Sequence, residues 1–411
     1  MSHLRRVNIE TGSDGNPTGD AFGRVRISAP VTVFDSRFQY NILPLIFQTV
    51  TANNGTVTHS APNAAAVLAL DGTSGGSALI QSRQYVTYMP GKSLLVLMTV
   101  VVGSAVAGVT KRVGFFDDNN GIFFEQNGTT DIAFVQRTNT SGSPSDAARV
   151  AQANWNLDKL DGTGESGFTL DVTKGQIMVI DLQWLGMGRV RVGFDIGGRI
   201  VYVHEFLNAN TMTTVYMRQA TLPVRWSISG NSAASMNAVC SSVQSEGGVV
   251  DPFSYQFAYD RATVTAASGS QTYAFSIRPK ATFNSLTNRI KINIIDWSCF
   301  NLGSNPVLVE IYYGTTVGGA PSWADMNATY SALQVDTAGT PSGGIKIASF
   351  WSGPNSIGAG GRARDAVQLA TNSYPLALDV AGTGYTHLTV YVTGVGGTSD
   401  CRPAVTWSED R

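Results

Sequence analysis

The chain has 411 residues, enough for two or three domains, and its 43% hydrophobic content can fill a sizeable core. Only 14% of the residues are charged and the formal net charge is −1, which excludes the clustered basic face that a nucleic-acid backbone requires. No apolar run approaches the roughly 20 residues of a bilayer-spanning helix, which excludes membrane insertion of that kind.

Helical periodicity is almost absent. Short runs rich in Val, Ile, Thr, Phe and Tyr recur instead, each closed by a cluster of Gly, Asn, Asp or Ser. This pattern predicts an all-β chain of two antiparallel β-sandwich, jelly-roll-like domains preceded by an extended N-terminal arm. The arm is residues 1–50. It begins polar and glycine-rich, without the apolar segment of a secretory signal, and continues as "DAFGRVRISAPVTVFDSRFQYNILPLIF". Pro30, Pro44 and the separated aromatics read as a docking segment rather than a domain. Its expected partner-binding residues are Phe22, Arg24, Phe34, Phe38 and Tyr40.

Residues 51–248 are expected to form the first sandwich. "GTSGG" (Gly72–Gly76) formally matches the G-x-S-x-G nucleophile elbow, but the following "SALIQSRQYVTYM" reads as strand where an elbow needs a helix. "QYVTYM" and "SLLVLMTVVVG" both read as strands, the second as a buried one. The stretch "RVGFFDDNNGIFFEQNG" (Arg112–Gly128) sets Asp117, Asp118 and Glu125 among four phenylalanines.

Three readings compete for that acidic cluster. As a calcium loop, Asp117 and Asn119 would be the first ligands. The sixth position would then be Ile122 where Gly is needed, and the twelfth Gly128 where a bidentate Glu is needed. As a glycosidase pair, the cluster lacks carboxylates alternating along one strand. As a hairpin tip, "DDNNG" is turn chemistry between two strand-like runs, with Asn120-Gly121 suited to positive φ. The third reading accounts for every residue of the stretch, so no metal, cofactor or catalytic residue is expected there.

A second hairpin is legible in register. In "RVRVGFDIGGRIVYVHEF" (Arg189–Phe206), Gly197-Gly198 forms a two-residue turn. Counting outward pairs Ile196 with Arg199, Phe194 with Val201 and Val192 with Val203 on one face, and Gly193 with Tyr202 and Arg191 with His204 on the other.

The polar stretch "SSVQSEGGVVDP" (Ser241–Pro252) marks a boundary near residue 250, and residues 249–411 are expected to form the second sandwich. There "RIKINIIDW", "PVLVEIYY" and "HLTVYVTGV" read as strands. "GPNSIGAGGRAR" (Gly353–Arg364) reads as a surface loop rather than a phosphate cradle. Trp323 in "GGAPSWADMN" is a candidate contact for a sugar or a protein. Cys240, Cys299 and Cys401 are scattered and read as free thiols. The four histidines have no metal-site spacing and read as packed or hydrogen-bonded residues.

Several segments together resemble a family of tailed-bacteriophage virion structural proteins. They are "DAFGRVRISAPVTVFDSRFQYNILP", "KRVGFFDDNNGIFFE", "NWNLDKLDGTGESGFTLDVTK", "IDLQWLGMGRVRVGFDIGGRIVYVHEFLNAN" and "VCSSVQSEGG", within residues 20–250. The similarity continues more loosely through "FSIRPKATFNSLTNRIKI" to "AVTWSEDR". The central part more distantly resembles concanavalin-like jelly rolls, in fold and not in lectin residues.

The resemblance implies a non-enzymatic virion component, made in the host cytoplasm, in the tail, baseplate or fibre or on the capsid surface. A sugar-binding or sugar-degrading adhesin at the tail tip, and a capsid decoration or head-fibre protein, are the alternatives. It implies other virion proteins as partners; further copies of the chain in a homo-oligomer (a trimer favoured) and a host-surface glycan are also expected, and no nucleic acid and no cofactor.

Overall fold

The computed structural model describes residues 29–129, 131–247, 254–354, 361–363 and 374–411. The chain is all-β, and its strands form antiparallel sheets arranged as sandwiches. Among the described residues the one regular helical element is a single 3-10 turn, Gln152–Asn154. None of their helices is long and apolar enough to cross a membrane.

Residues 30–246 supply the two sheets of the first sandwich. The eight-stranded sheet runs, in spatial order, Arg199–Phe206, Val190–Ile196, Gln176–Leu182, Ser93–Val101, Ala233–Glu246, Ala65–Asp71 and Thr56–Ser60. Its eighth strand, Pro30–Arg37, pairs with the second half of the long strand Ala233–Glu246. The seven-stranded sheet runs Ser145–Ala151, Asp131–Thr138, Gly121–Asn127, Val109–Phe116, Val224–Gly230, Gly76–Ser82 and Phe47–Ala52. Strict alternation builds the core between them. In Ser93–Val101 every second residue, Leu94, Val96, Met98 and Val100, is buried. The opposite sheet contributes Val113, Phe115, Ile122, Phe124 and Trp226.

Residues 255–410 supply a five-stranded and a six-stranded sheet around a separate core. That core includes Phe275, Ile294, Trp297, Val309, Val390 and Trp407. The central strands are Lys291–Asn301 and Ser399–Asp410 in the first, and Thr272–Pro279, Leu388–Gly394 and Val307–Tyr313 in the second. The expected boundary near residue 250 and most of the 353–364 loop lie outside the described residues.

Three expectations need correction. The arm does not extend to residue 50, because Pro30–Arg37 and Phe47–Ala52 are strands of the first sandwich. Pro30 takes the first strand position, where its missing N–H does no harm. "QYVTYM" is not a strand. It connects Gly76–Ser82 in one sheet to Ser93–Val101 in the other, and a crossing segment cannot follow either ladder. It makes a single bridge, Val86 to Leu222, and drops Tyr85, Val86 and Tyr88 into buried positions.

The third correction concerns register. Ile196–Arg199, Phe194–Val201 and Gly193–Tyr202 pair as expected, but Val192 faces His204 and Arg191 faces Glu205. A bulge at Val203 shifts the strand by one residue. The Val203 carbonyl accepts the N–H groups of Leu157 and Asp158 at 3.1 and 3.2 Å, and the bulge turns it toward them. Beyond the bulge, His204 and Phe206 become the buried pair.

Gly197 and Gly198 have φ of 64° and 81°, as a two-residue turn with positive φ at both positions requires. A Cβ at either would meet no atom within 4 Å, so only backbone strain resists substitution. Gly197→Asn is expected to change the urea midpoint little. Gly197→Val with Gly198→Val is expected to cost about 2–4 kcal/mol, and an unchanged midpoint in the double variant would contradict the turn.

Candidate functional site

The acidic stretch is a hairpin tip, but a more heavily engaged one than its sequence indicates. Strands Val109–Phe116 and Gly121–Asn127 pair from Thr110–Asn127 to Phe116–Gly121. Asp117 Oδ1 accepts the N–H groups of Asn119 and Asn120, both at 2.8 Å. Gly121 has φ of 141°, and a Cβ there would lie 2.2 Å from that of Phe116. Asn120, in contrast, does not have the positive φ expected of it. It is buried and its Oδ1 accepts the N–H groups of Asn139 and Arg218, at 3.2 and 3.1 Å. Burial raises the Asp117 carboxyl, and the N–H groups of Asn120 and Asn119 offset this only in part. The two calcium candidates are held by hydrogen bonds: Asp117 by those N–H groups, and Asn119 Oδ1 by Asn139 Nδ2 at 2.9 Å. Among the described residues, no three His, Cys, Asp or Glu side chains converge as metal ligands.

Behind the tip, the face of the seven-stranded sheet that points away from the core carries a second packed layer. Phe116, Phe123 and Val135 are buried there, with the two rings 4.5 Å apart. Arginines cover them. Arg137 and Arg112 lie 5.0 and 5.5 Å from the Phe123 centroid, and Arg225 lies 5.2 Å from that of Phe116. Each arginine is matched by acid. Glu125, 5% exposed, takes Arg112 on one oxygen at 2.7 Å and Arg149 on the other at 2.8 Å. Arg137 makes two bonds of 2.7 Å to Asp146. Burial opposes ionisation of Asp146, but this bidentate contact outweighs it and holds the carboxyl below its ordinary value. Asp118 pairs with Arg225, whose side chain is only 4% exposed and whose Nε donates to Gln81 Oε1 at 2.6 Å.

The cluster is therefore the glue of a sheet face. Glu125→Ala would leave two guanidinium groups side by side without their common counterion. It is expected to cost about 2–4 kcal/mol in urea unfolding, with Glu125→Gln between it and the parent. A Glu125→Ala midpoint equal to the parent's would contradict the structural role.

The expected docking aromatics divide. Phe34 and Phe38 are buried in the chain's own core, with Phe38 packed edge-on against Phe47 at 5.1 Å and Trp226 at 5.8 Å. They are not available to a partner. Tyr40 is 80% exposed and remains a contact candidate. Phe22 and Arg24 lie outside the described residues. The described histidines are each engaged. His59 Nε2 donates to the Phe38 carbonyl at 2.9 Å, and His204 Nδ1 accepts from the Asn156 N–H at 3.3 Å. His387 Nδ1 bonds the Thr315 carbonyl at 2.9 Å.

Sequence reasoning missed a cleft of about 640 Å³ between the two sandwiches. Pro44, Leu45 and Arg83 line one side; Tyr313, Thr316, Tyr385 and His387 are on the other. Trp323, the aromatic singled out from sequence, is half-buried and stands behind that second side. It stacks on His387 with centroids 5.3 Å apart and planes at 26°. Arg278 lies between Trp323 and Tyr385, 4.0 and 4.1 Å from the two centroids. Burial lowers both His387, in the wall, and Arg278, behind it. Only the lone Trp323, behind His387, hinted at this site, because residues 44, 83, 313 and 387 meet through tertiary folding alone.

No protein-family model and no curated protein matches the chain. Among solved structures, a protein from work on endo-acting O-glycanases of the human gut microbiota is similar at 14% identity and a TM-score of 0.37, over 52% of this chain and 98% of that one. The CBM2 module of the evolved Dit of Lactobacillus casei BL23 phage J-1 is similar at 12% identity and a TM-score of 0.34, over 55% and 100%. A carbohydrate esterase of the Shiga toxin-encoding bacteriophage phi24B is similar at 8% identity and a TM-score of 0.32, over 54% and 100%. Likenesses this distant assign no activity to the chain.

Proposed function

We propose that the chain is a non-enzymatic structural protein of a phage virion, docked by an N-terminal arm and exposing two β-sandwich domains that divide near residue 250. The observation that carries this reading is the fate of "KRVGFFDDNNGIFFE", one of the segments that resemble tailed-phage virion proteins. Its carboxylates, Asp117, Asp118 and Glu125, are engaged by N–H groups and arginines of the same chain. These contacts support reading the segment as scaffold: Asp117 and Glu125 are buried, and Asp118, though largely exposed, is paired with Arg225. The low charge content suits surfaces that pack against other subunits, and the reading includes a homotrimer. In this reading the arm is residues 1–28, ahead of the strand Pro30–Arg37, and Tyr40, exposed just after that strand, is a further contact.

Deleting residues 1–28 tests the proposal. The truncated chain should fold with an unchanged melting temperature and no longer enter particles. Normal incorporation would overturn the docking role.

A further inference from the structure

The cleft beside Arg83 carries positive charge that the described residues around it do not balance. Arg83 Nε donates to the Pro44 carbonyl at 3.3 Å, and among the described residues no carboxylate lies within ion-pair distance of it. Arg278, behind the opposite wall, gives its Nε to Gln334 Oε1 at 3.0 Å and likewise has no described carboxylate partner. Asp336 is the acid whose field reaches both Arg278 and His387. Its oxygens are already taken by the Tyr273 hydroxyl at 2.7 Å and the N–H groups of Ser322 and Gly339 at 2.6 and 2.8 Å.

We propose that this cleft binds an acidic saccharide, a polyhydroxylated ring bearing a carboxylate. The carboxylate pairs with Arg83, and the ring lies against Tyr385 and His387. A planar guanidinium with its Nη groups uncommitted matches a carboxylate in two hydrogen bonds. The volume of about 640 Å³ falls within the range of small-ligand sites and is far larger than a bare anion fills. The flat faces of Tyr385 and His387 suit the C–H face of a sugar ring. The Nδ1 bond of His387 to Thr315 and its stacking on Trp323 fix that ring in place. Thr316 and the Tyr385 hydroxyl offer partners to ring hydroxyls. The site uses no arm residue and no other virion protein, so it can fail while the particle role stands, and the reverse.

The test is a titration of the full chain, followed by saturation-transfer NMR and calorimetry. The probes are N-acetylneuraminic acid, glucuronic acid, their neutral counterparts N-acetylglucosamine and glucose, and inorganic phosphate. The acidic sugars should bind in the millimolar range, and the neutral sugars and phosphate about tenfold or more weaker. Arg83→Gln should lose about tenfold for the acidic sugars alone, and Arg83→Lys should lose less. Arg199→Gln, at the remote Gly-Gly turn, should change nothing. Neutral sugars binding as well as acidic ones, phosphate binding as well as either, no binding of the acidic probes, or an unchanged affinity in a folded Arg83→Gln chain would each overturn the proposal.

Discussion

Removal of residues 1–45 is expected to unfold the first sandwich, whereas removal of residues 1–28 leaves it intact. The longer deletion strips the strand Pro30–Arg37 from its seven paired positions on Ala233–Glu246. It also removes Phe34 and Phe38 from the core. Phe38 fills the space between Phe47 and Trp226, its N–H donates to the Val239 carbonyl at 3.2 Å, and its carbonyl accepts from His59. Truncating one such ring costs about 3–5 kcal/mol, and an ordinary domain has only about 5–15 kcal/mol to lose. Losing two rings and a strand therefore exceeds what the sandwich can absorb. Phe38→Ala isolates the packing share and should lower stability by about 3–5 kcal/mol in urea. A cooperative, unshifted melt of the 46–411 chain would show that these aromatics do not belong to the core.

Glu409→Ala should damage the second sandwich on a similar scale, by about 3–5 kcal/mol. Glu409 is fully buried two residues from the end of the chain. Its Oε1 accepts the Ser331 hydroxyl at 2.7 Å, the Ala332 N–H at 3.0 Å and the Trp407 indole N–H at 3.1 Å. Its Oε2 accepts Ala332 N–H at 2.9 Å and Arg411 at 2.9 Å. The carboxylate thus pins the 327–333 loop to the strand Ser399–Asp410. Alanine would orphan several donors at once in a site water cannot reach. Glu409→Gln keeps the acceptor oxygen and should lose about 1–2 kcal/mol. Equal losses in the two variants, read by fluorescence-monitored unfolding, would mean that side-chain volume rather than hydrogen bonding holds the loop.

Legibility in the sequence followed the range of the interaction. The all-β class, the buried strand Ser93–Val101 and the Gly197-Gly198 turn rest on period-two alternation and local φ preference, so a short window contains all the information. The bulge at Val203 was hidden because its cause, the N–H groups of Leu157 and Asp158, lies more than forty residues upstream. The acidic cluster read correctly as a hairpin tip. Its ties to Arg225, 107 residues away, and to Arg149, 24 residues away, could not be read. The arm was overextended because separated aromatics beside prolines look the same whether they meet a partner or fold back into the chain's own core. The cleft was least legible of all, since it is assembled from both sandwiches.

The central claim, a particle protein held by its N-terminal arm, is tested most directly by an electron cryomicroscopy reconstruction of the intact virion. The account predicts density that fits both sandwiches on the outside of the particle, with residues 1–28 running onto a neighbouring subunit and Tyr40 covered by a neighbour. Particles without such density, or sandwiches enclosed within the shell with the arm free of neighbours, would contradict it.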